Sequence, residues 1–308
     1  MRHPPFHAAQ QAKLDERRRL MRRTWALAAG GMASRGGAGL LACGGGGGGG
    51  GGGAMGSAGG ATASPAGAGA SGTPSDPGAS PAPPAPSSSA APALGAHGLS
   101  FNRIGDNQPS LSVAGLSTRT NASTLLACVG RGQLSSDASP TDSAGNVYTQ
   151  LGASHAYTLW PNAGTALHAC AQARGMASHV VSVAKPNQGD EVTLAVVEVA
   201  NAGLVRDVQW KEVLAGQPLT SASVSTTGPA LLVAWWWGDA DVDGDKTAVP
   251  DNGFTVIDSV LAPGALVQCA VAVRQVEAAG SYNVTWTSTP RQGAQLWLGA
   301  VQAAASWR

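Results

Sequence analysis

Residues 281–288, SYNVTWTS, alternate between apolar and polar side chains and decide the fold class. The apolar members are Tyr282, Val284 and Trp286, and the polar members between them are Asn283, Thr285 and Thr287. A period of two residues is typical of an antiparallel strand with one buried face. The stretch therefore predicts a half-buried strand in a sheet.

A related pattern of short strand-like runs extends over the C-terminal part of the chain. From about residue 97 to residue 308, short runs rich in Val, Leu, Thr, Tyr and Trp alternate with Gly, Asn, Asp, Pro and Ser, and no run has a helical period. The segment DSAGN, residues 142–146, predicts a tight turn in which Gly145 or Asn146 takes a positive φ. Many short strands without helices predict an all-β fold, a two-sheet antiparallel sandwich that is jelly-roll-like.

The N-terminal part carries most of the positive charge. Residues 1–42 have a net charge of +6 and the remainder −5, although the whole chain is only +1. A basic stretch followed by a short apolar stretch, RRRLMRRTWALAAGGMAS, predicts a signal peptide over residues 1–42, and a start at Met21 would give a signal of ordinary length. Arg22 and Arg23 leave twin-arginine export open. Because basic residues are scarce after residue 42, nucleic acid is not an expected partner.

Residues 40–43, LLAC, resemble the bacterial lipobox, in which the cysteine becomes the acylated first residue of the mature chain. This resemblance implies a lipid on Cys43 and a membrane anchor in the bacterial cell envelope. Residues 43–96 are a glycine run followed by Ala, Gly, Ser and Pro. Such a segment cannot bury enough apolar surface to fold, so it is predicted to be a disordered tether before a sandwich domain over residues 97–308.

The order of motifs in the domain resembles a jelly-roll-like β-sandwich module of secreted and surface proteins of bacteria. The motifs are STLLACVGRG, PTDSAGNVYTQLG, EVTLAVVEVANAG, SVSTTGPALLVAWWWGD, NGFTVIDS, AVAVRQVEAAGSYNVTWT and AQLWLGAVQ. The resemblance covers most of residues 123–302 and implies a fold and a compartment. It carries over no catalytic residue.

An acidic stretch directly follows three tryptophans in LLVAWWWGDADVDGD, residues 231–245. Asp239, Asp241 and Asp243, with Gly244 next, stand at the first, third and fifth positions of a calcium loop, and Asp245 adds a further oxygen. Pro250 stands where an EF-hand has its glutamate, and no helix flanks the loop. A calcium loop on a β scaffold and a solvated acidic turn both remain open.

The tryptophans predict both burial and a ligand surface. On a strand, Trp235 and Trp237 share one face and Trp236 takes the other. Apolar residues precede them in both phases, which indicates a strand covered on both sides. An exposed indole beside carboxylates is a common sugar platform, so Trp236 and Trp237 are the candidate ligand-binding residues. Trp160, Trp210, Trp286 and Trp297 are predicted to lie in the core.

No catalytic motif is present in the predicted domain: residues 97–308 lack GxSxG, HExxH, a P-loop and GxGxxG. Asp190 and Glu191 are the candidates for a glycosidase carboxylate pair, with no partner indicated. Cys128, Cys170 and Cys269 stand in apolar strands and are predicted to be buried, and their odd number leaves at least one unpaired.

These patterns predict an envelope lipoprotein that displays a non-catalytic binding or adhesion module, with a glycan or surface partner and calcium as the candidate ligands. The alternatives are a carbohydrate-active hydrolase and a structural module of an appendage or phage-like tail.

Overall fold

The computed structural model describes residues 90–102, 106, 108–133, 137–158, 160–186, 190–214, 218–239, 248–261, 267–288 and 294–303. Within these residues every helix or strand is a β-strand, which confirms the all-β prediction. None of these residues belongs to a helix that is long and apolar enough to span a membrane. Cys43, the predicted signal peptide and residues 43–89 of the predicted tether lie outside the described residues, whereas residues 93–96 of that segment belong to a β-strand.

The first half of the domain contains nine strands. They are β1 (Ala93–Phe101), β2 (Ser110–Leu116), β3 (Ser123–Arg131), β4 (Thr141–Asp142), β5 (Thr149–Gln150), β6 (His155–Tyr157), β7 (Trp160–Cys170), β8 (His179–Ala184) and β9 (Val192–Ala200). The first strand thus begins four residues before the predicted start of the sandwich at residue 97.

The second half contains ten strands. They are β10 (Leu204–Val213), β11 (Leu219–Thr220), β12 (Val224–Thr226), β13 (Ala230–Asp239), β14 (Val249–Pro250), β15 (Thr255–Val260), β16 (Val267–Val276), β17 (Gly280–Tyr282), β18 (Thr285–Ser288) and β19 (Ala294–Gln302).

Two antiparallel main sheets form the centre of the sandwich. The first has the order β1-β9-β3-β7-β5, with β6 also paired to β7, and the second has the order β10-β19-β13-β16-β15. Their inner faces enclose a central core that includes Leu126, Val197, Val233 and Trp235. This arrangement confirms the sandwich, and the central core is its largest apolar contact between sheets.

Smaller sheets cover the outer faces of both main sheets. The sheet β2-β8-β4 covers the first main sheet over an outer core that includes Val113, Leu125 and Val181. The sheets β11-β18-β14 and β12-β17 cover the second main sheet over a core that includes Leu232 and Trp286. The central strands β3, β9 and β13 are consequently buried on both faces, which explains why their sequences are apolar without alternation.

The two halves, residues 93–200 and 204–302, share one topology. In each main sheet the order is the first strand of the half (β1 or β10), the last strand (β9 or β19) and the long apolar strand (β3 or β13). Then come the strand β7 or β16 and a short strand, β5 or β15, that precedes it in the chain. The outer sheets β2-β8-β4 and β11-β18-β14 also correspond strand for strand. The domain is therefore built from two structurally equivalent halves that face each other.

A matching irregularity supports this equivalence. In the pairing of β1 with β9, the register shifts between Leu94 and His97, directly after the first two paired residues of the strand. In the pairing of β10 with β19, the register shifts between Val205 and Asp207, again after two paired residues. A β-bulge at the same step of the same pairing indicates that the halves correspond in register as well as in strand order.

The stretch SYNVTWTS, which decides the fold class, is divided between two strands. Val284 and Trp286 are fully buried, as the alternation predicts. However, β17 pairs with β12 while β18 pairs with β11 and β14, so the stretch passes from one outer sheet to another. The turn predicted at residues 142–146 is present, and Gly145 takes the positive φ, at 71°.

Candidate functional site

The acidic stretch after the tryptophans is described only at its beginning. Asp239 is the last residue of β13, where its backbone pairs with Val267. Asp241, Asp243 and Asp245 lie outside the described residues. Among the residues that the structure does describe, no group of three or more His, Cys, Asp or Glu side chains is arranged to hold a metal ion. Calcium binding by the acidic stretch stays a prediction.

The three tryptophans occupy the faces that their alternation predicts. Trp235 and Trp237 point into the central core, Trp236 points into the outer core of the second half, and all three are 0% exposed. The Trp237 ring packs edge-on against Tyr157, with centroids 5.8 Å apart. Because β13 is central in its sheet and covered on both faces, Trp236 and Trp237 have no exposed indole face. The ligand-binding role predicted for them would need one.

The other tryptophans agree with the core prediction where their side chains are described. Trp286 and Trp297 are buried, and Trp210 is half-buried with its ring stacked on His155 at 3.9 Å between centroids. Asp190 and Glu191 are also buried. The Glu191 carboxylate accepts a hydrogen bond from the Val267 backbone, and Asp190 lies 4.0 Å from the Arg131 guanidinium. Glu191 therefore links the two main sheets, whereas Asp190 contacts β3 within its own sheet.

A cleft of about 590 Å³ opens at the end of the sandwich where the β2–β3, β7–β8 and β9–β10 connections meet. Its polar lining comes from Thr120, Asn121, Gln172, Arg174 and Asn201, and alanines at residues 90, 122, 173, 202 and 303 complete it. No pattern in the sequence indicates this cleft, because its residues come from connections that are far apart in the chain and form no motif.

Three residues lining this cleft have left-handed backbone conformations without being glycine. They are Ala122 (φ 57°), Gln172 (φ 53°) and Asn201 (φ 57°). A non-glycine residue in this region costs energy unless the surrounding structure holds it there. Here the Ala173 N–H donates to the Ser123 carbonyl at 2.9 Å, and the Ala202 N–H donates to the Ala122 carbonyl at 3.1 Å. The cleft walls are thus fixed to the ends of β3 and β9.

The side chains of the cleft differ in what they bind. The Asn201 amide is fully engaged, since its oxygen accepts from Arg119 and its nitrogen donates to the Ala91 carbonyl, both at 3.1 Å. In the described part of the chain, the side chains of Gln172 and Arg174 have no hydrogen-bond or ionic partner, and both residues are exposed. Within the described residues, the cleft therefore presents the amides of Asn121 and Gln172 and the guanidinium of Arg174 to a ligand.

Arg174 is positioned by the turn between β4 and β5. Its backbone N–H donates to the Asn146 side-chain oxygen, and the Asn146 side-chain nitrogen donates to its carbonyl, both at 2.9 Å. Asn146 is held in turn by Asp142, which accepts from its backbone N–H at 2.9 Å and from its amide nitrogen at 2.8 Å. The buried Asp142 carboxylate thereby fixes one wall of the cleft.

The environment of Asp142 favours its ionised form. Burial by itself raises the pKa of Asp142, but the hydrogen bonds from Asn146 and Tyr148 and the nearby His179 outweigh it, so the pKa lies below its ordinary value. The Tyr148 hydroxyl donates at 3.0 Å, and Nε2 of His179 lies 3.1 Å from the same carboxylate oxygen. Asp142 is consequently an anion that orders the side chains around it.

His179 connects Asp142 to the other wall of the cleft. Its Nδ1 shares a hydrogen bond of 2.8 Å with the Thr118 hydroxyl, and that hydroxyl accepts from the Met176 N–H at 3.0 Å. A hydroxyl, an imidazole and a carboxylate in sequence are the components of a catalytic triad. Here both His179 and Thr118 are buried, and the Thr118 hydroxyl binds the Met176 backbone, so the arrangement joins loops rather than facing a cavity.

No protein-family model, curated protein or solved structure matches this chain.

Proposed function

We propose that this chain is a lipid-anchored protein of the bacterial cell envelope whose β-sandwich is a non-catalytic binding module for a glycan. The lipobox-like LLAC at residues 40–43 and the basic, then apolar, stretch before it support the anchor and the compartment. The composition of residues 44–96 supports a spacer between the membrane and the module. The binding role rests mainly on the polar cleft at the loop end.

The chemistry of the cleft suits a ligand rich in hydroxyl groups. Gln172 offers an amide that both donates and accepts, and Arg174 offers donors in a planar fork, while Thr120 and Asn121 extend the polar lining. Alanines between them provide small apolar surfaces. Sugar rings present the same mixture of hydroxyl groups and C–H faces, so a glycan is the ligand class that fits best.

The lack of reactive groups in the cleft supports a non-catalytic role. A glycosidase needs two carboxyl groups that flank the scissile bond. None of the described lining residues is acidic. The buried carboxylates behind this end are engaged with protein groups: Asp142 as described above, and Glu198 with the Ala96 N–H, the Arg119 N–H and the Ser123 hydroxyl. Such a cleft can hold a glycan but has no described proton donor for cleaving it.

A glycan array probed with the full-length protein in detergent micelles tests this proposal. We expect saturable binding to a defined group of glycans and a loss of about tenfold in affinity for Arg174→Ala, because a hydrogen bond to a charged group contributes about 1.5–3 kcal/mol. Lys211→Ala is the matched control, since Lys211 is an exposed cation on β10 and does not line the cleft.

Two results would contradict glycan binding at the cleft. One is the absence of binding to any glycan at protein concentrations up to the millimolar range. The other is glycan binding that Arg174→Ala and Gln172→Ala both leave unchanged, which would place the ligand elsewhere on the protein. Release of shortened glycans from the array would contradict the non-catalytic role and favour a hydrolase.

A further inference from the structure

The three described cysteines do not share one environment. Cys128 on β3 and Cys269 on β16 both point into the central core, from opposite main sheets. Cys170 lies at the end of β7 in the outer core of the first half, on the other side of its sheet. All three are buried, free thiols in this structure. The geometry therefore allows only one pairing among them, Cys128 with Cys269.

The two strands that carry this pair are aligned along the sandwich. The Val267 N–H at the start of β16 donates to the Glu191 carboxylate at 3.2 Å, and the next residue of the chain, Val192, pairs with Arg131 at the end of β3. Cys269 lies two residues into β16 from that end, and Cys128 lies three residues back from Arg131. The two cysteines are consequently at a similar height in the central core.

Trp237 provides a second measure of this alignment. A Cβ added at Gly130 would lie 1.9 Å from Nε1 of Trp237, so the indole rests directly on the Gly130 backbone. Trp237 is the register partner of Cys269 in the ladder of β13 with β16. Gly130 is two residues after Cys128 on the same face of β3. Cys128 and Cys269 therefore flank one point of contact between the two sheets.

The strands that carry the two cysteines are close to each other. Some Cα atoms of β3 and β16 lie within 8 Å of each other, whereas packed sheets are usually about 10 Å apart. A disulfide joins Cα atoms that are about 4.4–6.8 Å apart, so a strand separation of this order is near the range that a disulfide spans. Burial raises the pKa of the Cys128 thiol, and the neighbouring Cys269 raises it further. In the folded reduced protein both groups are thus unreactive thiols, and a link has to form during folding.

We propose that Cys128 and Cys269 form a disulfide that joins the two halves of the sandwich when the chain folds in an oxidising compartment, and that Cys170 remains a thiol. The oxidant is an external disulfide, either of low molecular weight or on a thiol–disulfide oxidoreductase. One cysteine thiolate attacks it and forms a mixed disulfide, and the second cysteine displaces the bound thiol. Two protein thiols and one external disulfide become one protein disulfide and two external thiols.

Refolding of the full chain tests this proposal without depending on glycan binding. The protein is unfolded with reductant, refolded in a mixture of reduced and oxidised glutathione, and then denatured with N-ethylmaleimide. Trypsin releases Cys128 in residues 120–131, Cys269 in residues 247–274 and Cys170 in residues 132–174. We expect the first two peptides to be recovered as one linked species that separates on reduction, and residues 132–174 to carry the maleimide.

Variants and melting provide the controls. Cys170→Ala should keep the linked species, and Cys269→Ala should leave Cys128 alkylated. Wild-type protein refolded in excess reductant should melt roughly 5–15 °C lower than the oxidised form. Separate, fully alkylated peptides from the oxidised wild type, or linkage through Cys170 or Cys43, would overturn the proposal. If Cys269→Ala does not refold, the wild-type peptide map still decides between these outcomes.

Discussion

At the scale of single residues, Asp142 orders the side chains that hold one wall of the cleft. Its carboxylate accepts hydrogen bonds from Asn146 and Tyr148 and lies beside His179. Through Asn146 it fixes the backbone of Arg174, and through His179 it holds Thr118. One buried anion thereby connects the turn between β4 and β5 to Arg174 in the β7–β8 connection and to Thr118 in the β2–β3 connection.

Asp142→Asn is expected to destabilise the full-length protein by about 1–3 kcal/mol at pH 7, because an amide replaces one buried acceptor oxygen with a donor. The pKa of Asp142 is lowered on folding, so its ionised form stabilises the protein above the pKa of the unfolded chain, near 4. This contribution is lost as the pH falls through the lower folded pKa. The difference between wild type and variant should therefore shrink toward pH 3.

Urea denaturation of both proteins at pH 7 and pH 3 measures this effect. Glu277→Gln is the control, because Glu277 is exposed and its change should shift stability by less than about 0.5 kcal/mol at either pH. A difference between Asp142→Asn and wild type that is the same at both pH values would mean that the charge of Asp142 does not stabilise the fold.

At the scale of the elements, β13 shows how one strand can be apolar on both faces. Trp235 and Trp237 contribute to the contact between the main sheets, while Trp236 packs under β11 and β18. Burying large aromatic side chains on both faces contributes several kcal/mol, which ties the main sheets and an outer sheet to one central strand. The strand then ends at Asp239, the first residue of the acidic stretch.

The acidic stretch is expected to bind calcium weakly, with a Kd of about 10⁻⁴–10⁻³ M, because the described elements on either side of it, β13 and β14, are strands and not the helices of an EF-hand. At about tenfold saturation, binding would add about 1.4 kcal/mol to stability and raise the melting midpoint by a few degrees. The measurement is thermal melting of the full chain in EDTA, in several millimolar calcium and in equal magnesium. The variant Asp241→Ala/Asp243→Ala should lose the calcium shift. Equal midpoints in all samples would leave only a solvated acidic turn.

At the scale of the whole molecule, the two halves share one topology but differ in the connections between their strands. The left-handed residues Ala122, Gln172 and Asn201 all belong to connections of the first half or to its junction with the second. In the second half, the described left-handed non-glycine residue is Asn252, in the turn after β14. The cleft is thus a specialisation of one half, built on strand pairings that both halves share.

The proposed lipid anchor can be tested in cells with the full chain. Cys43→Ala should abolish incorporation of labelled fatty acid and should leave the chain at precursor mass, because the modified sulfur and the cleavage point are lost together. Cys170→Ala should take up the label as wild type does. Wild-type protein that carries no lipid and runs at precursor mass would exclude the lipid-anchored proposal while leaving the glycan experiment valid.

The sequence by itself determined the all-β fold, the turn at residues 142–146, the opposite facing of Trp235 and Trp236, and the burial of Cys128, Cys170 and Cys269. These features follow from side-chain periodicity and turn chemistry, which act between residues a few positions apart. Only the tertiary structure decided that Trp236 and Trp237 are enclosed rather than exposed, since a two-sided apolar strand does not reveal what covers it.

The tertiary structure alone also decided where the cleft lies, which two cysteines face each other and that the halves match. Gln172, Arg174 and Asn201 meet because β7, β3 and β9 are neighbours in one sheet, and that order depends on pairing between strands tens of residues apart. The equivalence of β3 with β13 lies in strand order and register, whereas the sequences STLLACVGR and ALLVAWWWGD share little beyond apolar character. Long-range strand pairing is set by packing of the whole core, which no local pattern specifies.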